Sequence, residues 1–392
     1  MFFSFKYFVY LLGVLIPKNK KIWTFKGFAD KYIDNSKCLF EYVNSNHSAI
    51  TPIWITANKD TFELVLSTGN RVYLKYSIKG LCYSLIAKVN FYGDYCDIMT
   101  NGGSLRVNLW HGIALKKIEF DVNTGPLRSL FNGSLWSRLE YPWLYSKPDY
   151  VISSSLFISK NVFSTAFRIP CSRCLNFGYP RNDILFKNKT DLLLNLENTI
   201  PNLLYDSISK AEVDQTIYLY LPTWRDSGFN FIEASGIDFE DLNNTMKDLN
   251  SIFILKLHPA TKIEVDLERF SNIIMLNQNV DLYQLMPFTD VLITDYSSVY
   301  FDYLLLNKKI IFFPFDRTEY VKNREFYFDY KDFTPGDIVM TYEELVANMN
   351  RDFNSSFKHE IFQKKIWNHI DDQSSYRIVD YFLNYTRTKD DK

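Results

Sequence analysis

The stretch TDVLITDYSSVYFD, residues 289–302 of the 392-residue chain, is the part of the sequence that decides the fold. Its β-branched apolar run at 291–293 is typical of a short buried strand, and a polar turn at 294–298 ends that strand. Apolar residues at 299–306 then follow a helical spacing, which Asn307 and two lysines end. This order of strand, polar turn and helix predicts one βαβ unit of a parallel sheet.

The polar turn is the first candidate binding site. The first amides of a helix have no partner within the helix, and the helix dipole is positive at this end, so the turn favours a phosphate group. Asp295, Ser297 and Ser298 would then line a phosphate site. In the alternative interpretation, Asp295 or Ser297 only caps the helix.

Strands and helices alternate along most of the chain, which predicts an α/β protein with two Rossmann-like, doubly wound domains and a cleft between them. In the first domain we predict strands at 22–25, 52–56, 72–74, 96–99, 106–110 and 150–152, and helices at 36–43, 60–67 and 78–89. In the second we predict strands at 217–221, 251–257, 273–276, 291–293 and 310–313. A polar segment at 184–214 suits a linker, the region from 342 onward is predicted to be helical, and the domain bounds are predicted as 1–190 and 191–392.

Composition excludes several classes of protein. The formal net charge of −1 does not favour nucleic acid as a partner, and five cysteines are an odd number for a secreted disulfide framework. The CxxC at 171–174 has no second pair to complete a zinc site. The sequence has no Walker lysine motif, no GxGxxG and no acidic DxD-type triplet, so phosphate chemistry would depend on His, Arg, Lys, Ser and helix dipoles.

The first 17 residues are almost entirely apolar, and lysines follow at 18, 20 and 21. This length is at the lower limit for crossing a bilayer, whereas an apolar segment beside lysines can lie in the interface of an anionic leaflet. In the alternative interpretation, part of the segment is the first buried element of the domain. We predict a peripheral protein at the cytoplasmic side of the membrane.

Two of the five histidines follow predicted strands. His111 comes after the strand at 106–110, and His258 comes after the strand at 251–257. Because ligands bind at the carboxyl ends of parallel strands, each histidine is predicted to face the ligand edge of its own domain. A lone histidine at a strand end is also compatible with a purely structural role.

Further polar residues lie at similar positions. On the second-domain side of the cleft we predict Thr223, Arg225 and Lys256 as phosphate or nucleotide contacts, of which Arg225 offers a planar fork for phosphate oxygens. On the opposite side and at the hinge, the candidates are Gly112, Lys116, Arg181 and Asp183. Arg181 and Asp183 are equally compatible with a turn-and-cap pair that holds the hinge.

Taken together, the motifs resemble one known family. They are WHG at 110–112, LKK at 115–117, GYPRND at 178–183, LPTWRD at 221–226, LHP at 257–259, TDYSSVYFDY at 294–303, FFPFD at 312–316 and FYFDY at 326–330. This set closely resembles the CDP-glycerol glycerophosphotransferases, which include teichoic-acid primases and polymerases and relatives in capsule and O-antigen synthesis. The resemblance extends over roughly residues 20–385.

The resemblance implies a GT-B-type fold with C-terminal helices that pack back, and transfer of glycerol phosphate or a related polyol phosphate from a CDP-activated donor to an acceptor hydroxyl, with release of CMP. By similarity, His111 is the base for the acceptor hydroxyl and His258 supports the leaving nucleotide. Ser297 and Ser298 would hold the donor phosphate, and Arg225 would neutralise it. The implied partners are a CDP-polyol and a lipid-linked or membrane-proximal glycan, and we expect no cofactor and no metal.

The sequence departs from the family pattern at Ile113 and Ala114, where family members often have Thr-Pro after WHG. It also lacks the long N-terminal region of the large polymerases, which favours a primase or a single-addition transferase. Two alternatives remain at this stage: a nucleotide-sugar glycosyltransferase of GT-B shape, since fold alone does not fix function, and a catalytically silent scaffold at the membrane.

Overall fold

A computed structural model describes residues 2–97, 102–125, 127–209, 215–225, 231–258, 261, 265–351 and 357–388. The chain divides into two compact units. The first unit comprises Met1–Ile113, Lys117–Asp183 and Ile366–Lys392, and the second comprises Ala114–Lys116 and Ile184–Lys365. The predicted boundary between residues 190 and 191 also assigns acceptor binding to the first domain and donor binding to the second. This boundary and these roles stay a prediction.

The first unit is built on a parallel sheet of seven strands in the order β3-β2-β1-β4-β5-β6-β7. The strands are β1 Asn19–Lys26, β2 Thr51–Thr56, β3 Val72–Leu74, β4 Ala87–Tyr92, β5 Leu105–Asn108, β6 Tyr150–Ile152 and β7 Cys174–Leu175. The direction of winding reverses between β1 and β4, which is the topological switch point where doubly wound sheets bind ligands.

Helices α1 to α8 accompany this sheet. They are α1 Phe2–Leu15, α2 Asp34–Asn46, α3 Lys59–Ser67, α4 Ile78–Ile86, α5 Arg128–Phe131, α6 Leu135–Glu140, α7 Leu156–Ile158 and α8 Ser164–Ala166, with a π-helical turn at Ser159–Phe163. Side chains of Asn58, Ser77, Ser134 and Ser155 cap helix N-termini by accepting backbone N–H bonds, as these short polar residues do best. The sequence marks the starts of these helices for that reason.

The second unit contains a parallel sheet of six strands in the order β10-β9-β8-β11-β12-β13. The strands are β8 Thr216–Leu221, β9 Ser251–Leu255, β10 Ile273–Met275, β11 Val291–Thr294, β12 Lys309–Phe312 and β13 Asp337–Ile338. Strand β11, which the opening stretch predicts, is completely buried and lies at the switch point beside β8. The turn after β11 therefore lies where a ligand is expected.

Helices α9 to α17 accompany the second sheet, and α18 returns to the first unit. They are α9 Lys189–Leu196, α10 Asn202–Ser209, α11 Phe231–Ala234, α12 Phe239–Asp248, α13 Leu282–Leu285, α14 Val299–Tyr303, α15 Arg317–Asn323, α16 Tyr342–Met349, α17 Phe357–Ile366 and α18 Ser374–Thr388. The helix predicted at 299–306 is α14 plus a 3-10 turn at Leu304–Leu306, and Asn307 ends it in a left-handed conformation with φ of 52°. Phe382 of α18 packs edge-on against Phe91 and Tyr150 in the core of the first unit.

Several predicted elements are corrected by the structure. The helix predicted at 78–89 ends at Ile86, and Ala87 begins β4, which is a central strand. The strand predicted at 96–99 is wrong for Cys96 and Asp97, which lie outside any strand, and residues 98 and 99 lie outside the described part of the chain. Ala87, Val89 and Phe91 alternate with Lys88 and Asn90 at the strand period, but no Gly or Pro separates them from the helix before them, so the prediction carried the helix too far. The described part of the predicted linker, 184–209, contains α9 and α10, and the two-residue strands β7 and β13 were not predicted.

Candidate active site

Asp295 organises the switch point of the second unit. Its side chain is completely buried, and Oδ1 accepts hydrogen bonds from the amide of Thr223 at 2.8 Å and the amide of Tyr296 at 2.5 Å. Its backbone carbonyl accepts a hydrogen bond from the Tyr330 hydroxyl at 2.6 Å. Asp295 therefore ties the loop after β8 to the turn after β11, and it does not cap α14.

Arg225 is buried and paired with two carboxylates. Its guanidinium donates to both oxygens of Asp316, at 2.6 and 2.9 Å, and to Oδ2 of Asp295 at 2.8 Å. It also donates to the carbonyl of Thr223. A guanidinium held in this way positions the loops, and its predicted role as a phosphate ligand stays a prediction.

Aromatic side chains surround the arginine and its carboxylates. The rings of Tyr296 and Tyr320 stack with centroids 3.8 Å apart, and the Tyr296 hydroxyl donates to Asp316 at 3.0 Å. Burial, followed by the charge of Asp316, raises the pKa of Tyr296, which keeps the phenol protonated. Sequence reasoning noted the aromatic run at 326–330 but did not predict that it would pack here, because Tyr330 and Asp295 are far apart in sequence.

Ser297 and Ser298 lie at the start of α14 and are partly exposed. The Ser297 hydroxyl oxygen accepts a long 3.4 Å hydrogen bond from the amide of Val299, and Ser298 makes no capping hydrogen bond. Thr223 lies across the switch point, and its Oγ1 is buried with no hydrogen-bond partner within the described residues. Three hydroxyl groups are thus located at the edge where the sequence predicts a phosphate.

The Lys256 side chain is engaged by backbone carbonyls of one loop. Its ammonium donates to three backbone carbonyls, those of Val280 at 2.6 Å, Gln278 at 3.3 Å and Asn277 at 3.4 Å. Burial lowers the pKa of this lysine despite the nearby charge of Asp281. Lys256 therefore holds the loop after β10, and a direct contact with the donor stays a prediction.

His258 lies beside a large pocket of the second unit. Its ring stacks on Trp224 with centroids 5.4 Å apart, and its side chain is exposed. The pocket has a volume of about 740 Å³, and its wall includes His258, Thr261 and the loop residues Asn277 and Gln278. A volume of this size accommodates a nucleotide-sized ligand. Trp224 was present in a predicted motif, but its stacking on His258 was not anticipated.

His111 follows β5 in the first unit, and its role as a base stays a prediction. Its imidazole forms a hydrogen bond with the backbone of Gly93, whereas Nδ1 is buried with no partner within the described residues. Burial lowers the pKa of His111, and the positive charge of Arg181 adds to this effect while Asp34 opposes it. A neutral imidazole with an unoccupied nitrogen can remove a proton from a hydroxyl group at neutral pH.

Arg181 and Gly112 fix the conformation of this histidine loop. Arg181 donates through Nη1 to the His111 carbonyl and to Asp34, both at 2.9 Å. Gly112 has a φ of 116°, and a Cβ at this position would lie 2.4 Å from Arg181 Nη2. Asn35, which sequence reasoning missed, donates to the Trp110 carbonyl at 2.9 Å. These contacts fix the loop that carries His111, and a direct contact of Gly112 or Arg181 with an acceptor stays a prediction.

Asp183 and Lys116 also have structural contacts. The Asp183 carboxylate accepts the amides of Ser374 and Ser375, both at 2.9 Å, and so binds the N-terminus of α18. Lys116 belongs to the second unit, where its ammonium donates to the Tyr320 hydroxyl at 3.1 Å. For Asp183 the turn-and-cap interpretation accounts for both contacts. Within the described residues no cluster of three or more His, Cys, Asp or Glu could hold a metal ion, and the expectation that none is required stays a prediction.

Two parallel doubly wound sheets, each with a histidine at a strand end, define a fold of the GT-B type. Comparison with known sequences is more specific. Residues 8–384 match the family described as CDP-Glycerol:Poly(glycerophosphate) glycerophosphotransferase. The chain belongs to this family, and it is therefore a transferase.

Individual relatives agree with this assignment. A teichoic acid poly(glycerol phosphate) polymerase of Bacillus spizizenii is 29% identical over 87% of this chain and 86% of its own length. A teichoic acid glycerol-phosphate transferase of Staphylococcus aureus is 28% identical over 94% of this chain and 95% of its own. The solved structure of the wall teichoic acid polymerase TagF has a TM-score of 0.76 at 24% identity, covering 99% of this chain and 94% of that one, and it supports the fold.

Proposed function

We propose that this protein transfers glycerol phosphate, or a closely related polyol phosphate, from a CDP-activated donor to a hydroxyl group of a membrane-linked glycan. The family match over residues 8–384 carries this proposal, because it includes both histidine motifs and the turn after β11. The reaction is placed in the synthesis of teichoic acid or a related surface polymer. Its products are the extended acceptor and CMP.

His111 supplies the base in this proposal. Its imidazole accepts the proton of the acceptor hydroxyl while the oxygen forms a bond to the phosphorus that carries the polyol. The bond from that phosphorus to the bridging oxygen breaks, and its electron pair leaves with CMP. The lowered pKa of His111 keeps the imidazole neutral for this step, and such general-base catalysis contributes about 10²- to 10⁴-fold.

The donor side is assigned to the second unit. The pocket beside His258 has room for a nucleotide, and the hydroxyls of Thr223, Ser297 and Ser298 lie near the switch point. We propose that His258 supports the phosphate of the departing CMP. Phosphoryl transfer depends mainly on positioning and on neutralising phosphate oxygens, and these groups are suited to that task.

A donor screen tests the proposal. Purified protein is incubated with a lipid-linked acceptor extract and with CDP-glycerol, CDP-ribitol or nucleotide sugars, and the released nucleotide is identified by mass. We expect CMP from one CDP-polyol, and loss of CMP release in His111→Ala. Release of UDP or GDP from a nucleotide sugar would instead establish the alternative glycosyltransferase, and no turnover of any donor would support a scaffold.

We also propose that the protein works at the cytoplasmic surface of a membrane. Among the described residues, no helix is both long and apolar enough to cross a bilayer. Helix α1 exposes Leu11 and Leu15, at 60% and 79%, and Lys18 follows it closely. An exposed apolar face beside lysines favours an anionic interface.

Vesicle co-sedimentation tests the membrane proposal. The double variant Leu11→Asp/Leu15→Asp and a deletion of residues 1–17 should both lose binding to vesicles that contain anionic lipid. Leu64→Asp, which is 53% exposed on another helix, serves as the control and should bind normally. Equal binding of all forms would show that α1 is not the contact.

A further inference from the structure

The first unit also contains a pocket, and none of the residues that line it has been assigned a role in the reaction. Its volume is about 200 Å³, and it is lined by Lys26, Lys75, Tyr95, Cys96, Asp97, Pro142 and Trp143. Lys26 ends β1, Lys75 directly follows β3, and Tyr95 follows β4 by three residues. The pocket therefore lies at the carboxyl edge of the sheet, where doubly wound folds bind ligands.

The charges around this pocket are balanced. Lys26 Nζ donates to Asp94 Oδ1 at 2.9 Å, and Lys75 Nζ lies 3.0 Å from Asp97 Oδ2. An anion would have to compete with a carboxylate for each ammonium group. A neutral hydroxyl group has no such conflict, because its oxygen can accept from a lysine while its hydrogen is donated to an aspartate. The pocket thus favours an uncharged ligand that is rich in hydroxyl groups.

An aromatic wall adds a second element of recognition. Trp143 is 37% exposed and contributes its indole to the pocket. Tyr95 lies beside it, and its hydroxyl donates to Glu119 Oε1 at 2.8 Å, which fixes the ring. A pyranose ring has an apolar face of C–H groups and an edge of hydroxyl groups, so it matches an aromatic surface with ion pairs at its margin.

We propose that this pocket binds an uncharged carbohydrate residue of the acceptor glycan. The proposal depends on the function proposed above, since it assumes that the acceptor contains sugar. It names a subsite for the acceptor within the first unit, formed by the Lys26 and Lys75 ion pairs and by Trp143.

The contacts connect this subsite to the base. Asp94, which pairs with Lys26, also accepts the amide of Ala29 at 3.1 Å through Oδ2. The neighbouring ring of Phe28 packs on the ring of His111, with centroids 4.5 Å apart, and His111 is hydrogen-bonded to Gly93. The loops that follow β1 and β4 therefore shape the pocket and also contact His111. A sugar in the pocket would occupy the same sheet edge as the proton acceptor.

Ligand binding without any donor provides the first test. Saturation-transfer NMR is recorded with N-acetylglucosamine or methyl glucoside as the observed ligand, and inorganic phosphate is added as a competitor. We expect saccharide signals with the native protein and with Trp136→Ala, whose 80%-exposed side chain does not line the pocket, and loss of the signals with Trp143→Ala. Saccharide signals that survive Trp143→Ala, their absence from the native protein, or phosphate binding that displaces the saccharide would overturn the proposal.

Steady-state kinetics provides the second test. Lys75→Met should raise the KM for the acceptor by about 3- to 10-fold, the loss expected for one hydrogen bond, with the KM for the donor unchanged. Lys79→Met, an exposed lysine on α4, is the matched control. An unchanged acceptor KM in Lys75→Met would contradict the subsite. If the native protein used no CDP-polyol, the proposed function would fail, whereas the NMR result would still decide whether the pocket takes a sugar.

Discussion

Replacement of Arg225 by Met separates two roles for this residue. The resemblance to the family implies that Arg225 neutralises donor phosphate, whereas the structure shows its guanidinium shared between Asp295 and Asp316 and 4% exposed. If the structural role dominates, Arg225→Met leaves two carboxylates without their cation. Removing one partner of a buried ion pair costs about 3–5 kcal/mol. The exposed pair of Arg269 and Glu240, at 3.6 Å, provides a control for which about 0–1 kcal/mol is expected.

Hydrogen–deuterium exchange measures this effect locally, which matters because two units need not unfold together. In Arg225→Met, the amides of β8, β11 and β12 should exchange more than about 100-fold faster, as a change of about 3 kcal/mol implies. The amides of β1 and β4 in the first unit serve as an internal reference. Arg269→Met should leave all five strands unchanged. Native exchange in Arg225→Met together with a large loss of donor turnover would refute the structural role and assign the arginine to phosphate.

Three further predictions concern the first unit. Because burial lowers the pKa of His111, log(kcat/KM) should stay level at neutral pH and fall only at a pH below 6.5. If His111→Ala retains measurable activity, its profile should lack this fall at acid pH. Gly112→Ala should displace Arg181, lower activity and reduce the unfolding free energy by about 1–3 kcal/mol. The control is Gly236→Ala, at a positive φ of 71° where no atom lies within 4 Å of a new Cβ, and it should reduce the unfolding free energy less. Burial raises the pKa of Glu119 to about 7, so the folded state holds a proton that the unfolded state releases. Stability should therefore fall as the pH rises from about 4.5 to above 7. Glu119→Gln should remove this slope, which urea unfolding at pH 5 and pH 8 measures.

The sheet architecture was largely predictable because buried parallel strands appear as short β-branched runs that end at polar residues. The strand at 291–293, the turn after it and the helix end at Asn307 are all found in the structure. The failure at 78–99 has a physical cause. The chain passes from α4 into β4 without a Gly or Pro, and β4 is buried on both faces, so the alternation of Ala87, Val89 and Phe91 with polar residues is the only signal of the strand.

The candidate site was predictable only as far as residue type and strand end. His111 and His258 both lie at the predicted edges, but their surroundings depend on contacts between distant parts of the chain. Asp316, which holds Arg225, is 91 residues away from it, and Ser374 is 191 residues away from Asp183. A sequence shows that a guanidinium or carboxylate is present, but it does not show which partner has already engaged it. For that reason the sequence predicts Lys256 and Asp183 near ligands, whereas in the structure their charged groups form hydrogen bonds with backbone carbonyls and amides.

The membership of α18 in the first unit has a consequence for how the protein is made. Its Phe382 is fully buried against Phe91 and Tyr150, and the second unit lies between these parts in the chain. During translation, the first sheet must therefore remain without part of its core until the whole of the second unit has left the ribosome. Domains usually fold in order from the N-terminus, but here the later unit can complete its core first. Nascent chains that stop before residue 374 would expose this apolar face, and they are the forms on which chaperones or proteases would act.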